Sequence, residues 1–479
     1  MKDSMLLSID GLRKAYAGKA VSPVEVMRHT IGQINALNPE LNFVYEMHEE
    51  EALRMAAESE RRWMAGRPAG LLDGIPATIK DALPLAGYCS YRGTAAEDPD
   101  PVPSTTDAPC VARLKEEGAI AFGKTTMCDL GILPSGTGSS YGVTRNPWNP
   151  ARNPGGSSAG AAASVAAAVH PFAIGTDIVG SIRLPAAWSG IYGFKPSQGR
   201  VPYYFPNSPS LVAGPMTHSV RDAAELMNII ARPDPRDFAA LAYDGFDYLA
   251  QLDAPIKPGR IGIVRDLGFD AKPDTESLGV LDAAAAILKS MGWEIRDIAP
   301  PCTQQDLLAA ENFYRVRAYA ELKTKPMARR EKAAVVNGWA SAAASASASD
   351  FYDWFNTLQR CREQVVSMMR YVDYLLLPPT LTAAPEAEFP RSAADALFVP
   401  WAQTYLFNLS EQPAASVPMR LSGAGLPLGV QIVGRRFDDA GVLRLSARLE
   451  AARGRFPLSP YAQRGIQGFN ERLNEIARG

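Results

Sequence analysis

Two serines stand in glycine-rich settings, Ser157 in the run Asn153-Pro-Gly-Gly-Ser-Ser-Ala-Gly160 and Ser181 in Gly175-Thr-Asp-Ile-Val-Gly-Ser-Ile-Arg-Leu-Pro185. A serine hydroxyl can act as a nucleophile when a base takes its proton and donors hold the oxyanion formed by its attack. The order of residues suits that chemistry at Ser181, which is predicted at the carboxyl end of a strand, in a tight turn with closely spaced backbone N–H groups. Such a place is where open α/β sheets bind ligands. Taken singly, each turn can equally be a glycine-rich connection beside a buried helix.

The elements around these serines read as loop, helix, strand, loop. Gly155 to Ser158 form a turn whose hydroxyls can cap an alanine-rich helix from Ala159 to Val169. His170-Pro171 stops that helix. Phe172 to Gly175 is short and apolar, as a buried strand is, and Thr176 to Ser181 is the second turn.

The two serine contexts, in this order, resemble the amidase signature family. A third motif of that family, G-I-P-x-x-x-K-D, is matched by Gly74 to Asp81 and contributes Lys80. The resemblance covers about Ser22 to Leu241 and Val372 to Ala452. It implies a Ser-Ser-Lys triad: Ser181 as nucleophile, Ser157 as proton relay after a cis peptide bond, and Lys80 as a base that must be neutral near pH 7. It further implies that Ser158 and Thr176 hydrogen-bond around the triad and that Asp177 and Arg183 brace the loop. Backbone N–H groups of Ile178, Val179, Gly180 and Ser181 would bind the oxyanion, and Gly131 and Leu133 would wall the pocket. Two positions depart from the family pattern: Val179 replaces a glycine, which is expected to crowd the oxyanion turn, and Ala159 also stands where glycine is common.

Composition bounds the alternatives. The 479 residues are 47% hydrophobic and 21% charged with a formal net charge of −2, which suits a globular chain and argues against nucleic acid as a partner. Five cysteines without C-x-x-C spacing suggest neither a disulfide framework nor a zinc site. No apolar run reaches membrane-spanning length and the amino terminus does not resemble a signal peptide, so a cytoplasmic location without membrane partners is expected.

Along the chain, short apolar runs alternate with helical patterns from Gly70 onward, which implies an α/β fold. With the resemblance, the expectation is a central mixed, mostly parallel β-sheet sandwiched between helices. Residues 1–68 are expected as a helical segment wrapping the core, 69–479 as the amidase signature domain, and 300–373 as a mainly helical, substrate-shaping insert. Within it, the Ala/Ser-biased 340–348 could be a mobile segment or a small-residue helix. Two spellings are decoys. Gly118 to Thr125 matches G-x-x-x-x-G-K-T, but its middle residues read as a strand rather than a phosphate cradle, so ATP binding is not expected. Gly138 to Gly142 matches G-x-S-x-G, but flanking prolines deny it the strand and helix of a nucleophile elbow.

The expected activity is hydrolysis of a small-molecule amide through an acyl-enzyme on Ser181, with no cofactor and no metal. The aromatic run Tyr203-Tyr204-Phe205 and Trp339 lean towards aryl amides or carbamates, making the chain a urethanase candidate. The alternative is the glutaminase-type subunit of a tRNA-dependent amidotransferase, which releases ammonia for a partner. A homodimer is one assembly the chain could adopt.

Overall fold

A computed structural model describes residues 2–203, 210–243 and 245–476. Its strands, in chain order, are β1 (Val44–Met47), β2 (Pro76–Lys80), β3 (Ile120–Thr125), the paired two-residue β4 (Thr137–Gly138) and β5 (Gly142–Val143), β6 (Phe172–Asp177), β7 (Tyr192–Lys195), β8 (Val212–Thr217), β9 (Arg260–Ile263), β10 (Glu294–Asp297), β11 (Tyr374–Leu377), β12 (Ala414–Leu421) and β13 (Pro427–Val433). Eleven of them form one sheet in the order β1-β3-β2-β6-β8-β7-β12-β13-β11-β9-β10. Parallel ladders fall in two blocks, β3-β2-β6 and β11-β9-β10. The strands between the blocks, and β1 at the edge, pair antiparallel. Helices pack on the sheet, so the mixed sheet between helices is as the sequence implies.

The first parallel block positions the site. β2 and β6 are buried along their whole length, as expected of strands covered on both faces. Their register sets Thr78 beside Ala173 and Ile79 beside Ile174. The carboxyl ends of the two strands therefore deliver Lys80 and Thr176-Asp177 side by side. Between β3 and β6, the helix Ala159–Ala166 is built from small, wholly buried residues. Gly160 lets it approach the neighbouring backbone, since a Cβ there would overlap the Phe43 carbonyl.

Several local expectations meet the structure with differences. Ser22 and Glu25 form both bonds of a capping box, but the helix runs through Pro39 to Leu41. Asn42, in the left-handed conformation, ends it, and Asn38 Oδ1 accepts from the N–H groups of Phe43 and Val44. The segment read as a helical wrapper also contributes β1 to the sheet edge. The Ala/Ser-biased stretch is a turn connecting the helices Ala334–Ser341 and Ala348–Met368. In the G-x-x-x-x-G-K-T spelling, Gly123 and Lys124 lie within β3 itself. Lys124 Nζ is buried and donates to the carbonyls of Asp81 and Leu83, so no phosphate cradle exists there. The G-x-S-x-G spelling is the β4-β5 hairpin. All five cysteines are free thiols. Among the described residues no helix is long and apolar enough to cross a membrane.

Candidate active site

Lys80, the last residue of β2, is wholly buried. Its Nζ lies 2.8 Å from Ser157 Oγ, 2.9 Å from Ser158 Oγ and 2.8 Å from Thr176 Oγ1, with the Thr176 carbonyl at 3.4 Å. Every one of these partners is an uncharged oxygen, and among the described residues Lys80 makes no ion pair. Burial disfavours the ammonium and pulls the amine down to about 7; more distant Cys128, Asp177 and Asp81 oppose that shift. Asp81 does not reach it: its carboxylate is taken by the Tyr45 and Tyr141 hydroxyls and by the N–H groups of Tyr91 and Gly93.

Ser157 follows a cis Gly156–Ser157 peptide bond, as the resemblance implies. Ser158 stands at the helix N-cap, yet its side chain makes no cap bond. Its hydroxyl donates instead to the Thr176 carbonyl and accepts from the Thr176 N–H. The backbone N–H of Ser158 also donates to the carbonyl of Ser181, at 3.3 Å, which ties the two serine turns together.

Ser181 Oγ is buried and has no hydrogen-bond partner among the described residues. It lines a cavity of about 40 Å³ together with Ser157, Thr176, Ile178 and Gly131. An orphaned polar group of this kind is rare in a core. Lys80, Ser157 and Ser181 are thus brought to one place.

The oxyanion turn differs from expectation in two respects. Gly180 N–H donates to Asp177 Oδ1 at 2.7 Å, so it is engaged and unavailable to a substrate. The N–H groups of Ile178, Val179 and Ser181 have no acceptor among the described residues. Nor does Val179 line the cavity, whereas Ile178 does; both belong to one buried apolar cluster with Leu184, Trp188 and Trp401. The Val179 carbonyl accepts from Thr404 Oγ1 at 2.6 Å. Gly180 is required, because it has φ +135° and a Cβ would overlap the Thr404 side chain.

Asp177 and Arg183 form a buried ion pair, Nη2 to Oδ1 at 2.9 Å and Nε to Oδ2 at 3.0 Å. The carboxylate also accepts from the N–H groups of Gly180 and Ile182 and from Asn408 Nδ2. Burial alone would raise its pKa, but Arg183 and Asn408 outweigh that and hold it at about 2. Arg183 in turn donates to the Thr404 carbonyl, Gln431 and Asn408. Asp177→Asn is expected to destabilise the fold by about 3 kcal/mol or more, since it leaves a buried guanidinium without its counter-ion. Urea unfolding measures this, and an unchanged midpoint would contradict the bracing.

The remaining walls were only partly legible. Gly131 is in place, its ideal Cβ position 3.4 Å from Ser157 Oγ. Leu133, expected beside it, is buried in the core, and Leu130 lines the cavity in its stead. The reason is a short turn, Asp129–Gly131, in which Leu130 and Gly131 are both left-handed, turning Leu130 towards the serines. Tyr203 is a wall residue, whereas Tyr204 and Phe205 lie outside the described residues. Trp339 is not at the cavity; it is buried and donates to Glu311 at 2.9 Å. Arg92 and Arg317, which no motif marked, also line it and share Glu321, at 2.7 and 3.4 Å.

A buried lysine at a strand end, a cis-linked serine and an unpaired serine in a glycine turn define a serine hydrolase-type site on a large mixed sheet. The sequence model of the Amidase family matches residues 25–443, and the chain belongs to this family, the amidase signature enzymes. It is 30% identical to a glutamyl-tRNA(Gln) amidotransferase subunit from Carboxydothermus hydrogenoformans, over 93% of this chain and 96% of that protein. It is 33% identical to the protein of the same name from Myxococcus xanthus, over 91% and 95%. Among solved structures, a bacterial aryl acylamidase of the amidase signature family is 30% identical with a TM-score of 0.84, over 96% of this chain and 98% of that one.

Proposed function

We propose that the chain hydrolyses the C–N bond of a small-molecule amide, an aryl amide or carbamate among them, through an acyl-enzyme on Ser181. The observation that carries this reading is a buried Lys80 without a carboxylate partner, poised near neutrality and hydrogen-bonded to Ser157 beside the unpaired Ser181 hydroxyl. In the reaction, Ser181 Oγ bonds to the carbonyl carbon while its proton passes to Ser157, whose own proton passes to Lys80. The oxyanion meets the N–H groups of Ile178, Val179 and Ser181. As the C–N bond breaks, the proton returns through Ser157 to the departing nitrogen. Water then attacks the acyl carbon by the same route, frees the acid and restores Ser181. Preorganised donors of this kind are worth roughly 100- to 1000-fold each in rate.

Ala82, Met127, Leu130, Ile178 and Leu211 are apolar, and the two wall arginines share Glu321, which offsets one of their two charges. The helix Gln304–Leu322 supplies Arg317, which supports a substrate-shaping role for residues 300–373. A panel of aryl amides, alkyl amides, carbamates and esters, run on the purified chain, tests the reading; turnover of aryl amides and carbamates is expected. The second reading, the glutaminase-type subunit of a tRNA-dependent amidotransferase, is favoured by the names of the relatives. It expects glutamine hydrolysis that depends on a partner chain, and inactivity on every simple amide would favour it.

A pH profile follows from Lys80. Protonated, the amine cannot accept a proton; neutral, it can. With its pKa lowered to about 7, kcat/KM is expected to rise with pH through a single ionisation near 7 and then level off. A profile that falls as pH rises through 7 would contradict the base assignment.

A further inference from the structure

Far apart in sequence and away from the serine cavity, two cysteines meet. Cys302 lies just before the helix Gln304–Leu322 and Cys361 within the helix Ala348–Met368. Both are buried. The sulfur atoms of Cys302 and Cys361 and a carboxylate oxygen of Asp306 all lie within 4.8 Å of one another. Asp306 is half-buried, and its Oδ2 accepts from Thr303 N–H at 2.8 Å and Thr303 Oγ1 at 2.9 Å, which holds the carboxylate in place. A fourth donor atom, Gln364 Oε1, is 3.7 Å from Cys302 Sγ.

Each of the two segments thus supplies one sulfur and one oxygen: Cys302 with Asp306, Cys361 with Gln364. A tetrahedral zinc ion with metal–sulfur bonds near 2.3 Å and metal–oxygen bonds near 2.1 Å needs its donors about 3.4–3.8 Å apart. The Cys302–Gln364 distance of 3.7 Å already meets that spacing, and the Cys302, Asp306 and Cys361 donors lie within 4.8 Å of one another. The two sulfurs favour a thiophilic ion over magnesium or calcium. Gln364 is exposed, so an ion has a path from solvent. None of the four residues lines the serine cavity.

We propose that Cys302, Asp306, Cys361 and Gln364 form a binding site for one thiophilic divalent cation, zinc in kind, that ties the two long helices of residues 300–373 together. Binding displaces the two thiol protons. Because ligation competes with those protons, uptake should strengthen as pH rises.

The test uses the whole chain, reduced with a phosphine, stripped with a chelator and dialysed. Cadmium is titrated against it while sulfur-to-metal charge-transfer absorption is followed, and zinc is titrated in competition with a chromophoric chelator. One ion per chain is expected, with a rise in Tm on zinc addition. Cys302→Ser and Cys361→Ser should abolish the charge-transfer band, and Asp306→Asn should weaken zinc binding by about tenfold or more. Hydrolysis by the metal-free variants should match the wild type, which also shows that they fold. If Cys361→Ser fails to fold, Cys302→Ser and Asp306→Asn decide. Absence of the band in the reduced wild type, or its persistence in Cys302→Ser, overturns the proposal, as does finding the pair only as a disulfide.

Discussion

Ser181→Ala is expected to lower kcat by about 10⁴- to 10⁶-fold, the range over which serine hydrolases lose activity when the nucleophile is removed. The substitution deletes one oxygen and little else. The Lys80–Ser157 hydrogen bond does not involve it, and the oxyanion N–H groups belong to the backbone. Stability should be unchanged or slightly raised, because Ser181 Oγ is buried without a partner and its removal relieves an unsatisfied polar group. Loss of activity together with retained or increased Tm is therefore the signature; a matched loss of both would mean a structural role. Residual turnover would come from the oxyanion donors and substrate binding alone.

Lys80→Met is the second large effect, an expected fall in kcat of about 10⁴-fold, near the upper end for general acid–base catalysis. On the proposed mechanism Lys80 acts only through Ser157 and Ser181, so the double variant Lys80→Met/Ser181→Ala should be no worse than Ser181→Ala alone. The same residue also makes stability depend on pH. Its folded pKa, lowered to about 7 by burial, lies below the unfolded value of about 10.4. Between the two, the unfolded chain binds a proton that the folded chain does not, so stability rises with pH. The contribution is up to about 1.4 kcal/mol per pH unit. Lys80→Met removes that component, so the unfolding free energy of the variant minus that of the wild type should fall as pH rises through this window. A difference independent of pH would show that Lys80 is not buried as a neutral amine.

The parts of the site that were legible in the sequence are those held by local backbone constraints. Gly155 and Gly180 adopt positive φ, and the turns that bear Ser157 and Ser181 abut short, wholly buried elements. Motif and geometry coincide there because only glycine fits. The illegible parts depend on contacts between distant segments. Arg92 and Arg317 meet at the cavity through Glu321, and no local pattern announces a residue that functions by its remote neighbour. The engagement of Gly180 N–H by Asp177 was hidden for a related reason: a carboxylate three residues upstream could equally have faced solvent. Val179 looked obstructive by comparison with glycine, yet it is buried in the apolar core and does not line the cavity. In the fold, the same rule holds. β2 and β6 announced themselves as apolar runs, whereas β1, Val-Tyr-Glu-Met, is a four-residue edge strand too short and too mixed to stand out from the helices beside it.

Acyl-enzyme trapping asks most directly whether Ser181 is the nucleophile that Lys80 and Ser157 activate. An activated aryl carbamate would transfer its carbamoyl group to the attacking oxygen and release a phenol. Digestion and mass spectrometry of the wild type should place one carbamoyl group per chain on Ser181, with labelling suppressed in Lys80→Met. A label on Ser157 or Cys128, or labelling of Lys80→Met at the wild-type rate, would contradict this mechanism.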